Sequence, residues 1–468
     1  MASLKKRLAL LKDMGLTRAS EIGSASAQCA AETASVAAVP PPREYQSADA
    51  CLSSFRELPP EWKRAGEHCH VSSTLSSFSI GSDFPSFVDE RMFCRFADRP
   101  ADERAGGLIP LEDMSFFDLE TTGLSGGTGT IAFLAGIGYF EAGSFVVNQI
   151  FIDDFPGEAD LLDQTLKSLG RRPVLVSYNG KAFDLPLLRT RCVMNGVPIP
   201  SFRHVDLLYP ARRLWKSKME SCALSTLEQT VLGVERTDDV PGALIPGIWL
   251  EYARSALASE RRAESLPRIK SILAHNTQDI VSLARLLCRM LALCDGVLRG
   301  DPAIRSASGN TDLFGLARML LAGGKEDFAL GLLKQAGIEG DQRALVFLAR
   351  YYRRRGQYPG YRDAVVLMDD STIESCIEKA KFFEHREKDY VAALGATEKA
   401  MAIIEGRLGA ASFGAPATNA LAKKRQRVEK RRERLESRME TKVDSRQVRS
   451  KTRSTDSGLS GSHAPGLA

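Results

Sequence analysis

No apolar run in this 468-residue chain reaches the ~18 residues that a membrane-spanning helix needs. No Gly-rich loop followed by Lys-Ser/Thr is present to cradle a triphosphate. Gly126-Gly127-Thr128-Gly129 lacks that continuation and reads as a hairpin turn, so phosphotransfer on small nucleotides has no support. The nine cysteines are dispersed without metal-ligand spacing, which argues for reduced thiols and a cytoplasmic setting. His68-Cys69-His70 resembles a ligand cluster, but no second cluster completes it, and Cys288 and Cys294 fall on an apolar helix as core residues. The apolar start of the chain is broken by Lys12 and Asp13, too early for a secretory segment, and reads as a short amphipathic helix. There is no strong overall charge either. The net value is +5, yet residues 423–453 carry 14 Lys/Arg against 5 Asp/Glu, which leaves about −4 (5 − 9) on the remainder. A basic tail on a mildly acidic body suits contact with a polyanion; a solubilising tail is the alternative.

What is present sharpens after residue 110. Strands are expected over 115–120, 131–140, 144–151, 173–177 and 205–208, with helices over 157–169 and 185–194. Three strands joined by short turns, then helix, strand, helix, strand, make an antiparallel meander extended by parallel crossovers, which is the order of a ribonuclease-H-like sheet. A long amphipathic helix over 267–293 carries Ile269, Ile272, Leu273, Ile280, Leu283, Leu287, Met290 and Leu291 on one stripe. The fold class is therefore α/β, a ribonuclease-H-like mixed sheet flanked by helices and followed by an α-helical repeat-like domain. The expected divisions are an N-terminal helix and disordered linker (1–42), a segment without assigned elements (43–110), the sheet domain (111–297), a helical repeat region (310–405) and a basic helix with a disordered tail (423–468), the helix over 423–441. In the repeat region Phe328, Tyr358 and Tyr390 lie 30 and 32 residues apart, near the tetratricopeptide period of about 34, with a plain helical bundle as the alternative.

The chemistry centres on Phe116-Phe117-Asp118-Leu119-Glu120-Thr121-Thr122-Gly123. On a strand, Phe116, Asp118 and Glu120 share one face. Two like charges on a half-apolar face repel unless a divalent cation compensates them; a solvated strand edge is the alternative. Asn179-Gly180-Lys181-Ala182-Phe183-Asp184 follows the fourth strand and puts Asp184 at a helix N-terminus, where a carboxylate also serves as a simple cap. His275 and Asp279 are four apart on the long helix and so share a face. Two-metal phosphodiester cleavage requires several carboxylates around two divalent ions, with an imidazole able to take a proton near neutral pH. Asp118, Glu120, Asp184 and Asp279 with His275 supply that set. Asp206 is a fifth carboxylate near the expected site, with a structural hydrogen-bonding role expected. Asp238 and Asp239 belong to a loop without an assigned role.

These three segments resemble, in order, the motifs of the DEDD (DnaQ-like) 3′–5′ exonuclease superfamily. The stretch from His204-Val205-Asp206-Leu207-Leu208 through Ser225-Thr226-Leu227-Glu228 and Leu232-Gly233-Val234 to Asp238-Asp239-Val240-Pro241-Gly242 is similar to the YprB-type ribonuclease-H-like proteins, which carry tetratricopeptide-like helices after the nuclease domain. The resemblance implies a metal-dependent 3′–5′ exonuclease using two Mg²⁺ or Mn²⁺ ions on RNA or DNA. It implies Asp118 bridging both ions, Glu120 and Asp279 completing one site and Asp184 the other. Thr121, Thr122, Asn179 and Phe183 would meet the substrate, and the tetratricopeptide-like helices would dock a protein partner. In the histidine-type branch the His stands five residues before the last Asp; in the tyrosine-type branch a Tyr stands four before. Here a His occupies the four-residue spacing, which leaves general base and water-orienting roles both open. The competing reading is a non-catalytic nucleic-acid- or protein-binding adaptor built on the same fold. The intact carboxylate set argues against it.

Overall fold

The computed structural model describes residues 58–456 apart from 59–60, 81–84, 94–106, 124–128, 238, 256–258, 302–309 and 411–415. The expected N-terminal helix and linker, residues 126–128 of the expected turn, Asp238 and the chain beyond 456 lie outside the described residues. Among the described residues no helix is long and apolar enough to cross a membrane.

Nine strands form among the described residues: β1 Lys63–Arg64, β2 Cys69–Ser79, β3 Phe87–Asp89, β4 Leu108–Pro110, β5 Met114–Thr121, β6 Ala132–Glu141, β7 Ser144–Ile152, β8 Val174–Ser177 and β9 Arg203–Asp206. Seven make one mixed sheet in the order β1-β2-β7-β6-β5-β8-β9, and β3 pairs with β4 separately. The β5–β8 and β8–β9 pairings are parallel, while the remaining ones are antiparallel. The five strands expected after residue 110 are all present. The sheet also extends into the segment left unassigned, where β2 lies along β7 from Cys69 opposite Ile152. Its Ser/Thr-rich sequence leaves alternate side chains wet from Ser73 onward, so it gives a weak strand signal.

Helices α1 Glu158–Leu169 and α2 Asp184–Met194 cross between parallel strands, and α2 stops at Asn195 before Gly196, whose φ of 65° is left-handed. Next come α3 Leu208–Trp215, α4 Ile245–Arg254 and α5 Ser259–Arg299. Alternation along β5 puts Phe117 and Leu119 in a core with Leu161, Leu162, Leu185 and Leu188, and Phe116 in another with Ile280, Leu283 and Leu287 of α5. The α5 stripe is buried throughout its eight apolar positions, each worth about 1.5–3 kcal/mol. The Trp249 ring of α4 stacks on Phe133 with centroids 4.9 Å apart, and its indole donates to the Ile152 carbonyl at 2.8 Å.

Helix α5 comes close to the sheet because β6 offers two glycines, Gly136 and Gly138, beneath it. A Cβ on Gly136 would stand 2.3 Å from Asn276 Oδ1 and 2.8 Å from Ile280 Cγ1, and one on Gly138 would stand 2.5 Å from Ile280 Cγ2.

His68 Nδ1 and His70 Nε2 bind the two oxygens of Asp153 at 2.9 and 3.1 Å, and Arg262 reaches the same carboxylate at 2.8 Å. These histidines lock β2 to the end of β7. Cys69 is a fully buried core residue, and that burial pushes its thiol up to about 12. Cys288 and Cys294 are buried in the α5 core.

The C-terminal region is helical: α6 Leu313–Ala322, α7 Glu326–Ile338, α8 Gln342–Arg354, α9 Tyr358–Leu367, α10 Ile373–Phe382, α11 Tyr390–Gly409 and α12 Pro416–Asp456. α12 outruns the expected 423–441 at both ends, and residues 442–456, read as disordered from sequence, continue it. No Gly or Pro interrupts it after Pro416, so the charge that suggests disorder does not break the helix. Val428 and Leu435 of α12 are buried, and Arg431, Arg434 and Arg438 converge on the fully buried Glu384.

Gly136→Ala is expected to destabilise the protein by about 1–3 kcal/mol through overpacking against α5. Gly406→Ala, where a Cβ meets nothing within 4 Å on α11, should stabilise it by about 0.5–1 kcal/mol. Denaturant midpoints of the two variants against the parent check both signs.

Candidate active site

The edge of β5 and the neighbouring face of α5 meet at the sheet centre. Asp118 stands opposite Gly136 on β6, and Gly136 opposite Gln149 on β7. Over the gap left by Gly136 sits Asn276, fully buried, whose Nδ2 donates to Asp118 Oδ2 at 3.1 Å. Gln149 Nε2 donates to Asn276 Oδ1 at 3.0 Å and to the Leu273 carbonyl at 2.8 Å, which fixes the Asn276 amide with its NH₂ toward Asp118.

Asp184 begins α2 and reaches the same place through a turn held by Asp206. Asp206, buried at the end of β9, accepts from the amides of Asn179, Lys181 and Leu208 at 2.8, 3.1 and 3.1 Å. Its role is the structural one expected. Asn179 takes a left-handed φ of 65°, which Asn tolerates better than most residues. Gly180 is required beside it, since a Cβ there would meet Ser177 Oγ at 2.3 Å and Asp184 Oδ2 at 3.0 Å.

His275 and Asp279 come from α5, one turn apart. His275 Nε2 lies 3.4 Å from Asp279 Oδ2 and 3.9 Å from Glu120 Oε1. Ligand atoms of Glu120, His275 and Asp279 all lie within 4.8 Å of one another. His275 Nδ1 lies 2.6 Å from Asp239 Oδ1. A carboxylate can only accept, so Nδ1 carries a hydrogen toward Asp239, and Nε2 faces Glu120 and Asp279. Burial opposes ionisation of Asp239, but the His275 bond and the Arg236 charge outweigh it and hold that carboxyl below its ordinary range.

The site is strongly acidic in character. Burial, followed by Asp184, Asp279 and Glu120, pushes the Asp118 carboxyl well above the usual carboxylate range. Burial pushes Glu120 up to about 7, with Asp279 and Asp184 adding to it against the pull of His275. Asp184 is likewise pushed up to about 7 by burial, against backbone donors that include Leu119. Burial raises Asp279 too, although His275 and Arg236 oppose it. Four carboxylates that cannot all ionise together fit a divalent cation as counter-charge.

The structure thus gathers Asp118, Glu120, Asp184, His275 and Asp279. Phe183, 54% exposed, flanks Asp184 as an aromatic surface. The hydroxyls of Thr121 and Thr122 are used to close their own loop: Thr121 Oγ1 donates to the Gly123 carbonyl at 2.8 Å, and Thr122 Oγ1 accepts from the Ile131 amide at 3.1 Å. Sequence reasoning missed Arg236, Glu228, Gln149 and Asn276. A polar residue at Asn276, in the middle of the apolar stripe between Leu273 and Ile280, is a signal that could have found one of them.

A family profile of the RNase H superfamily matches residues 115–291, which run from β5 to near the end of α5. YprB of Bacillus subtilis (strain 168), described as an uncharacterised protein, is 32% identical over 303 residues, which cover 62% of this chain and 69% of YprB. This chain belongs to the RNase H superfamily, as a homologue of YprB. Among solved structures, the family B DNA polymerase from the hyperthermophilic archaeon Pyrobaculum calidifontis aligns with 46% of this chain and 29% of its own, at 18% identity and a TM-score of 0.31. That likeness is too low to carry an inference.

The raised carboxyls make a prediction about pH. Glu120 and Asp184 titrate near 7 in the folded protein and near 4 when unfolded, so between those values the folded state holds more protons. Stability of the metal-free protein should therefore fall as pH rises from about 4 to 7, and stay lower above. Asp118→Asn, which removes one of the carboxyls the fold keeps protonated but can still accept from Asn276, is expected to lose less. Melting temperatures in EDTA from pH 5 to 7.5 check this; equal slopes for the two proteins would refute it.

Proposed function

We propose that this protein is a divalent-metal-dependent nuclease, a 3′–5′ exonuclease of the DEDD type, that hydrolyses phosphodiester bonds of RNA or DNA. The observation that carries the reading is the convergence of Asp118, Glu120, Asp184 and Asp279 with His275 in one half-buried acidic pocket on an RNase H sheet. Asp118, Glu120 and Asp279 would hold one Mg²⁺ or Mn²⁺ ion, and Asp118 and Asp184 the other. Such ions supply Lewis-acid stabilisation of the charge that develops on phosphate oxygens.

The chain's own groups do the rest. His275 Nε2 faces the pocket as an acceptor, placed to orient an attacking water and take its proton. Phe183 offers an exposed ring on which a terminal base can stack, an interaction worth about 1–3 kcal/mol, and Asn179 lies on the same turn. The exposed cations of α12, Lys423, Arg427 and Lys430, are available to phosphates, whereas Arg431, Arg434 and Arg438 are spent on Glu384. Helices α6–α11 fit a tetratricopeptide-like array. α7, α9 and α11 begin at Glu326, Tyr358 and Tyr390, at intervals of 32 residues (358 − 326 and 390 − 358), and such an array would dock a protein partner.

The test is cleavage of 3′- and 5′-labelled single- and double-stranded RNA and DNA in Mg²⁺, Mn²⁺ or EDTA. Stepwise shortening of a 5′-labelled strand from its 3′ end, abolished by EDTA and by Asp118→Ala, is expected. Wild-type activity in folded Asp118→Ala would overturn the reading. His275→Ala should lower kcat by about 10²–10⁴-fold. His275→Tyr, which can orient water but is no base near neutral pH, should recover part of that loss if orientation is the role of His275.

A further inference from the structure

Arg236 is a charged group in the pocket that the proposed chemistry leaves unused. It lies on the loop after the π-helical turn Glu228–Leu232, and its side chain is 13% exposed. Arg236 Nε donates to Glu228 Oε2 and Nη2 to Glu228 Oε1, both at 2.7 Å. Nη2 also donates to Asp279 Oδ1. Nη1 donates to Asp239 Oδ2 at 3.3 Å and lies 3.1 Å from His275 Nδ1. Glu228 is itself 1% exposed and accepts from Ser282 Oγ at 2.5 Å. Ser282 stands three residues after Asp279 on α5. The guanidinium is therefore clamped to α5 through a buried bidentate pair and cannot swing away without breaking it.

An arginine in a phosphodiesterase pocket can grip phosphate or support its neighbours. Gripping phosphate needs two parallel N–H groups on one open edge. Here one edge is filled by Glu228, the second Nη2 hydrogen by Asp279 and one Nη1 hydrogen by Asp239. At most one hydrogen is left, and no open edge remains.

The geometry points to Arg236 as a positioning residue that fixes the Asp279 carboxylate directly and the His275 ring through Asp239, with Glu228 as its anchor. The consequence for turnover rests on the nuclease reading. The consequence for the shape of the carboxylate site does not, so the two can be tested apart.

The experiment compares wild type with Arg236→Ala, Arg236→Lys and Glu228→Gln, with circular dichroism to confirm folding. Two quantities are read: Mn²⁺ affinity by calorimetry, and kcat and KM on a labelled oligonucleotide. Arg236→Ala is expected to weaken Mn²⁺ binding by about 10–100-fold and to lower kcat by a similar factor with KM little changed, as supporting partners of ligands do. Millimolar guanidinium should restore part of both. Arg236→Lys, lacking the fork, should recover less, and Glu228→Gln should shift both quantities in the same direction. A raised KM with unchanged kcat and Mn²⁺ affinity would overturn the inference in favour of a phosphate grip, and unchanged values throughout would overturn it outright. If wild type cleaves no strand yet Arg236→Ala still weakens Mn²⁺ binding, the nuclease reading fails and the positioning of Asp279 stands. Should Arg236→Ala fail to fold, the Lys and Glu228→Gln variants decide by the same two readouts.

Discussion

Helix α5 can lie across β6 only because two residues there have no side chain. The gap over Gly136 is filled by Asn276, and Asn276 is what reaches Asp118. Everything in the acidic pocket follows from that close approach. It brings His275 and Asp279 within reach of Glu120, and it buries the carboxylates deeply enough that burial becomes the largest influence on each of them. A helix held a few ångströms further out would leave the same residues in the sequence but solvate them, and solvated carboxylates have no strong need of a cation.

The pocket holds opposed charges in layers. Four carboxylates face one another at the centre. Around them stand Arg236, Asp239 and Glu228, alternating in sign, so that the guanidinium is neutralised from behind by Glu228 while it faces Asp279 and Asp239 in front. Asp239 is held below its ordinary range by His275 and Arg236, while the carboxyls left without enough counter-charge are those of the inner set. Just beyond the end of β7 the same logic appears in smaller form, with His68, His70 and Arg262 gathered on Asp153. There the carboxylate is fully satisfied by protein groups and the result is an anchor.

Much of this was legible in the chain itself. Alternation around Asp118 and Glu120 placed both on one face of a strand, and the spacing of the α5 stripe put His275 and Asp279 where the helix meets the sheet. The order of strands and helices after residue 110 gave the mixed sheet. Other parts were not legible, for identifiable reasons. β2 is flanked on its outer side by only the two residues of β1, and three of its four exposed positions are serines (Ser73, Ser77 and Ser79), so its hydrophobic signal is weak. Arg236 and Glu228 are eight residues apart and meet through a π-helical turn and a left-handed Gly233, a local geometry that no periodicity announces. α12 reads as tail from its charge, because among its described side chains only Val428 and Leu435 are buried, and its arginines reach the buried Glu384 from a charged surface.

The bond from Asn276 to Asp118 joins residues 158 positions apart. The meander β5–β6–β7, by contrast, is closed by neighbouring hairpins and keeps its own ladder whatever α5 does. Closing so long a loop is entropically costly, and such contacts form late. During synthesis on a ribosome the sheet can therefore assemble while the pocket is still missing one wall. An opening fluctuation of α5 in the finished protein would strip away Asn276, His275 and Asp279 together. Assembly and loss of the pocket are thus a single event, tied to one helix rather than to the sheet that carries half of its carboxylates.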